Sequence, residues 1–168
     1  RLNRNPAEDI KGALTPPKKR HYPTILEPKR IGQLLLTIDR YSGQPITKHA
    51  LQLLPLVFVR PGELRNAEWS EFNLEEAQWR IPAEKMKQSH AHIVPLSKQA
   101  IGVLQNIQLL TGQNKFLFPG IRSRQKPISE NTLNNALGNM GFSGEEISAH
   151  GFRSMASTRL NEMGWNRD

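Results

Sequence analysis

No cysteine occurs in the 168 residues, which removes disulfide staples, thiolate zinc sites and cysteine nucleophiles together and fits a reducing cytosol. Long apolar runs are absent as well. The longest apolar-rich stretch, Leu51 to Val59, is interrupted by Gln52 and Pro55 and falls far short of the ~20 residues a membrane helix needs, so no membrane partner is expected. No internal repeat or low-complexity tract is found, which argues against solenoid and array architectures. Negative charge is in the minority: 23 Lys and Arg stand against 15 Asp and Glu, a formal charge of +8, with a pI near 10.1. That balance favours encounter with a polyanion, nucleic acid first, although solubility alone is served by charge of either sign. The opening residues, Arg1-Leu2-Asn3-Arg4-Asn5-Pro6, carry neither an initiator methionine nor a signal-peptide apolar core. They read as a start within a longer protein, and the chain as an excised fragment.

What is present is a 37% hydrophobic content, enough for one core. Residues 1–27 are polar, basic and broken by Pro6, Pro16, Pro17 and Pro23, the composition of an extended interdomain linker. From Pro28 to Asp168 the patterning is that of one domain. Ile31, Leu34, Leu35, Ile38 and Tyr41 recur at helical spacing, and a second, nearly all-apolar helix is expected from a Thr47 N-cap to Phe58. Pro61-Gly62 breaks that run and opens a short helix, which puts Arg60 at a sharp corner. Trp69–Leu74, Gln78–Pro82 and His92–Leu96 have the β-branched and aromatic content of short strands. Helices follow from Ser97, from Ser129–Thr132 and from His150, the last with Phe152, Met155, Ala156 and Leu160 on one face. The expected fold class is mainly α with a small antiparallel β-sheet (α+β).

Two segments stand out for chemistry: Val59-Arg60-Pro61-Gly62-Glu63-Leu64, and His150-Gly151-Phe152-Arg153, where His and Arg three apart share a helix face. Between them Lys85-Met86-Lys87-Gln88-Ser89 occupies a strand turn. Each has a plainer reading. Arg60 is placed to cap the carbonyls of the apolar helix, Glu63 to serve a helix N-terminus, and Lys87 to be a solvated turn lysine. His90 and His92 alternate along a strand like a metal pair, yet no thiolate or carboxylate cluster accompanies them, and no metal is expected. Trp69, Phe72 and Trp79 suit core packing better than base stacking.

An arginine followed by Gly-Glu-Leu, a hairpin lysine followed by Val-Pro-Leu, and His-x-x-Arg opening a late helix resemble, in order and spacing, the tyrosine recombinase family, most closely its phage and prophage integrases. The likeness runs from Glu27 to Asp168. It implies the catalytic-domain fold of that family and site-specific DNA recombination, the integration and excision of phage genomes, through a 3′-phosphotyrosyl intermediate. By the same resemblance Arg60 and Arg153 clamp the scissile phosphate, Lys87 gives a proton to the departing sugar oxygen, with Lys85 as the competing assignment, His150 binds phosphate or handles the nucleophile's proton, and Glu63 orients the Arg60 region. A guanidinium fork matches two phosphate oxygens and stays charged, and charge that grows on the phosphate in the transition state is what such donors stabilise. Covalent catalysis keeps the bond energy in the enzyme, so no cofactor is implied. The implied partners are double-stranded DNA attachment sites and sibling protomers in a recombination synapse, and the implied location is the bacterial cytoplasm, at the nucleoid.

The family pattern continues past His-x-x-Arg to a further His or Trp and then to the tyrosine nucleophile. Here the tyrosines are Tyr22 and Tyr41, both ahead of Arg60, so the resemblance implies a catalytic domain cut before its nucleophile and unable to cleave DNA. A tail docked on Phe142, Phe152 or Met155 would leave an apolar patch when absent. A noncatalytic basic DNA-binding module and a structural helical domain are the competing readings; a metal-dependent nuclease is disfavoured because Glu63, Glu68, Glu71, Glu75 and Glu76 form no evident phosphate-facing cluster.

Overall fold

The computed structural model describes residues 22–86 and 90–165. Most of the segment read as a linker and the hairpin residue Lys87 lie outside them. Helices α1 (Pro28–Asp39) and α2 (Pro45–Val57) are followed by the short α3 (Pro61–Arg65). A three-stranded antiparallel sheet comes next, β1 (Phe72–Asn73), β2 (Gln78–Ile81) and β3 (His92–Pro95), in the order β1-β2-β3. Helices α4 (Lys98–Thr111), α5 (Thr132–Asn139) and α6 (Gly151–Glu162) complete the chain. This is the α+β class that the sequence patterning predicts.

The apolar helix α2 is the axis of the domain. Ala50, Leu51, Leu53, Leu54 and Val57 are buried, and the helix packs against α1, α3, α4, α5 and α6. It begins two residues ahead of the expected Thr47 cap. Pro45 occupies the first turn, where its fixed φ suits the helix and its missing N–H is not needed, and Thr47 is buried inside the helix instead. The other end is sharp: Phe58 turns into the left-handed region at φ 51° and its N–H returns to the Leu54 carbonyl, a C-terminal stop that aims the next carbonyl sideways.

The first strand is shorter than its composition suggests. Trp69–Glu71 forms a 3₁₀ turn, and only Phe72 and Asn73 pair with β2. The indole N–H of Trp69 donates to the Thr111 carbonyl at 2.9 Å, tying that turn to the end of α4 in place of the sheet. Trp79 is fully buried and stacks on Phe72 at 5.0 Å between ring centres, so these aromatics serve the core. Ser97 caps α4 through the Ala100 N–H, as its position predicts. In α6 the expected inner face is right for Phe152, Met155 and Ala156 but not for Leu160, which is 41% exposed. Phe152 and Met155 are buried and Phe142 is half-buried, so the apolar patch that a missing tail would leave on these three is not seen there. The uncovered apolar side chains, Leu160, Met163 and Trp165, lie further along α6 and just beyond it.

Residues 22–27 run extended against the domain. Ile25 is buried in the core, and Pro23 accepts a hydrogen bond from the Ser148 N–H at 3.2 Å. The carboxyl-terminal part of the segment read as linker is therefore packed onto the turn that precedes α6.

Candidate active site

Arg60 is the residue before α3, and the following Pro61 starts that helix. Its main chain and side chain are held by one carboxylate. Glu63 accepts the Arg60 backbone N–H at 2.8 Å on one oxygen and the guanidinium Nη1 at 2.6 Å on the other. Glu63 is almost buried whereas the Arg60 side chain is 38% exposed, so the carboxylate fixes the direction of a guanidinium whose other N–H groups meet no acceptor among the described residues. Glu63 is thus the helix N-terminal acceptor of its plain reading, and the same carboxylate holds the Arg60 guanidinium.

His150 ends the turn before α6. The neighbouring Ala149 N–H donates to Asn134 Oδ1 on α5 at 2.8 Å, and the imidazole lies face to face with Tyr22, ring centres 4.4 Å apart and planes 15° from parallel. Burial holds the His150 pKa below its ordinary value; the Arg60 charge adds to that effect and Glu63 opposes it. That shift favours the neutral ring, which donates through one nitrogen and accepts through the other.

Arg60, Glu63, Lys85, Asn134 and His150 border one open cleft of about 520 Å³ between α3, α5 and the start of α6. Arg65 closes one side, donating to the Ile128 carbonyl at 3.0 Å and pairing with Glu130 at 3.4 Å. Arg153 is set differently. Its guanidinium donates to the Phe58 carbonyl at 2.8 Å and faces a second cleft with Ala156, Leu160 and Trp165. The capping role open to Arg60 is thus taken by Arg153, which secures the strained end of α2 immediately upstream of Arg60.

Lys85 is tied down. Its ammonium donates to the Asn66 carbonyl at 2.9 Å, to Glu68 at 2.8 Å and to Glu71, and Glu71 also accepts the indole N–H of the buried Trp79 at 2.9 Å. Burial pulls the Lys85 pKa down, but the two carboxylates outweigh it and leave the value raised. The hydrogen bond from Lys85 in turn lowers the Glu68 pKa. A lysine held this way grips its proton more firmly, the reverse of what a proton donor needs. His90 and His92 are exposed, and among the described residues no His, Cys, Asp or Glu group is arranged to hold a metal. No described helix is long and apolar enough to cross a membrane.

The sequence model of the phage integrase family matches residues 24–168, which takes in every element from the cleft's first arginine to its last. The chain belongs to the phage integrase family. Among relatives, it is 42% identical to the putative protein IntB of Escherichia coli K12, across 99% of this chain and 46% of that one. To the integrase of Enterobacteria phage P4 it is 41% identical, across 99% of this chain and 41% of that protein. The chain spans less than half the length of either. Among solved structures, the Tn1549 transposon integrase in complex with circular intermediate DNA superposes with a TM-score of 0.71 at 16% identity, over 94% of this chain and 59% of that one. At that identity the likeness is one of fold.

Of the residues singled out in the sequence, the structure brings Arg60, Glu63, Lys85 and His150 to one cleft and sets Arg153 in another; the Tyr22 contact, Asn134 and the Glu68–Lys85–Glu71 knot were not singled out. The carboxylates had a faint signal, since the spacing in Glu68-Trp69-Ser70-Glu71 puts both on one side of a turn. Tyr22 and Asn134 had none, because neither belongs to a periodic pattern.

Proposed function

We propose that this chain supplies most of the catalytic domain of a site-specific recombinase that integrates and excises phage or prophage DNA, and that its cleft holds the scissile phosphate. The observation that carries the reading is the convergence of Arg60, its buried partner Glu63 and His150 on one open basic cleft. Family membership and the DNA held by the transposon integrase of like fold support it.

In this reading Arg60 binds the phosphate's nonbridging oxygens, and Arg153, by exchanging or sharing the Phe58 carbonyl, supplies the second guanidinium. A tyrosine oxygen bonds to phosphorus as the phosphorus–oxygen bond to the leaving sugar breaks; the sugar oxygen takes a proton from Lys87, and His150 helps manage the proton of the tyrosine. Lys87 is preferred to Lys85 because Lys85 is already committed to two carboxylates. Neither Tyr22 nor Tyr41 stands at the place of the nucleophile, so these residues alone bind the phosphate without cleaving DNA. Attachment-site DNA and sibling protomers are the proposed partners.

The test is titration of labelled chain with inorganic phosphate, read by NMR on the His150 and arginine side-chain signals. Arg60→Ala is expected to weaken binding by about 10- to 100-fold, the worth of a charge-assisted hydrogen-bonding pair. Phosphate that binds equally well to the variant, or that perturbs neither Arg60 nor His150, refutes the reading.

A further inference from the structure

The extended segment ahead of α1 is clamped across the turn that carries His150. Ser148 N–H donates to the Pro23 carbonyl at 3.2 Å, and the Thr24 hydroxyl donates to the Gly151 carbonyl at 2.7 Å. The approach is so close that a Cβ on Gly151 would sit 2.2 Å from the Pro23 carbonyl oxygen; the backbone atom cannot swing aside as a side chain would, so the glycine after His150 is required by this contact. Next to these anchors Tyr22 lies flat on the imidazole, at 4.4 Å and 15°. Tyr22 is 55% exposed, so it is no core residue, and what its ring shields is one face of His150.

We propose that Tyr22 is a positioning residue for His150, its ring fixing the plane of the imidazole and keeping water from one face so that an arriving phosphate meets a preset side chain. The inference rests on the cleft being a phosphate site. The charged groups that face His150 are Arg60 and Glu63 from α3; Asn134 approaches from α5, and Lys85 and Glu130 lie further along the cleft lining. Tyr22 adds no charge to this set. Its effect is exclusion of solvent and restriction of ring rotation, which is consistent with burial being the leading cause of the lowered His150 pKa.

The experiment is an NMR pH titration of His150 in the 168-residue chain, with and without inorganic phosphate, for Tyr22→Phe, Tyr22→Ala and Gly151→Ala. Tyr22→Phe is expected to keep both the ring-current shift of the His150 protons and their titration midpoint. Tyr22→Ala is expected to abolish the ring-current shift, raise the midpoint and weaken phosphate binding about two- to tenfold, the range of one aromatic contact. Gly151→Ala, which displaces the Pro23 strap from the other side, should reproduce the Tyr22→Ala spectrum. A His150 signal indifferent to Tyr22→Ala, or altered equally by Tyr22→Phe, overturns the proposal. The two readings fail separately. If Tyr22→Ala frees His150 while Arg60→Ala leaves phosphate binding intact, the positioning stands and the phosphate site falls; if Arg60→Ala abolishes binding and Tyr22→Ala changes nothing, the reverse holds.

Discussion

At the scale of single residues, the two arginines stand in different clefts and serve different uses. Arg60 is oriented from behind by Glu63 and left open in front, whereas Arg153 spends one donor on the Phe58 carbonyl. Replacing Glu63 by Gln keeps the shape but leaves a neutral group opposite Arg60, so the guanidinium loses its charged anchor. Phosphate affinity is expected to fall about three- to tenfold, less than for Arg60→Ala, because the fork itself survives; calorimetric titration with phosphate checks the order. His150 gives a second residue-scale prediction through linkage. Its folded pKa lies below the ordinary 6.5, so its neutral form is the stabilised one: the associated stability is complete above 6.5 and declines as pH falls through the folded value. A bound phosphate dianion favours the charged ring and should move the midpoint upward, and by reciprocity phosphate should bind more tightly as pH falls from 7 toward that midpoint. A midpoint unmoved by saturating phosphate would place the anion elsewhere.

At the scale of elements, the knot at Lys85 holds the segment after β2 to the end of α3 and to the turn ahead of β1. Lys85→Met is expected to destabilise the domain by about 1–3 kcal/mol, since Glu71 is left nearly buried without its cation; chemical denaturation measures it. Two signs follow for pH. Glu68 has a folded pKa below its ordinary 4.5, so its share of stability is present above 4.5 and lost as pH falls through the folded value. Lys85 has a folded pKa above its ordinary 10.5, so its share is present below 10.5 and lost as pH rises through the folded value. Between those limits the knot contributes evenly, and Lys85→Met should flatten the acid limb of the stability profile. The helices around this knot were legible from apolar spacing, because α1, α4 and α5 each bury one stripe. The start of α2 and the length of β1 were not. The start of α2 is set by Pro45 in its first turn, which leaves Thr47 inside the helix, and the length of β1 by a group distant in sequence, the Trp69 indole held by Thr111.

At the scale of the whole molecule, the proposed site was legible where the order of short motifs carries it and obscure where tertiary geometry alone decides. Arg60, Glu63 and His150 stood out through the order and spacing in which their motifs resemble the tyrosine recombinase family, each alone having a plainer reading, and the fold brings these three to one cleft. That Arg153 faces Phe58 in the second cleft, and that Tyr22 covers His150, depends on how α6 meets α2 and the extended segment, which no local pattern encodes. The formal charge of +8 belongs to this scale too, since it acts through the summed field and not through any one contact. Duplex DNA should therefore bind with a steep loss of affinity as salt rises, each neutralised phosphate contributing about 0.9 to the slope of log K against log salt. Arg60→Ala is expected to lower that slope by about one unit and to weaken binding alike across unrelated sequences, the behaviour of a phosphate contact and not a base contact. Anisotropy titrations at 50 and 200 mM salt resolve both quantities. A shallow slope in the unaltered chain would mean that the positive charge is incidental to DNA; a steep slope untouched by Arg60→Ala would mean that DNA lies along the basic surface without entering the cleft.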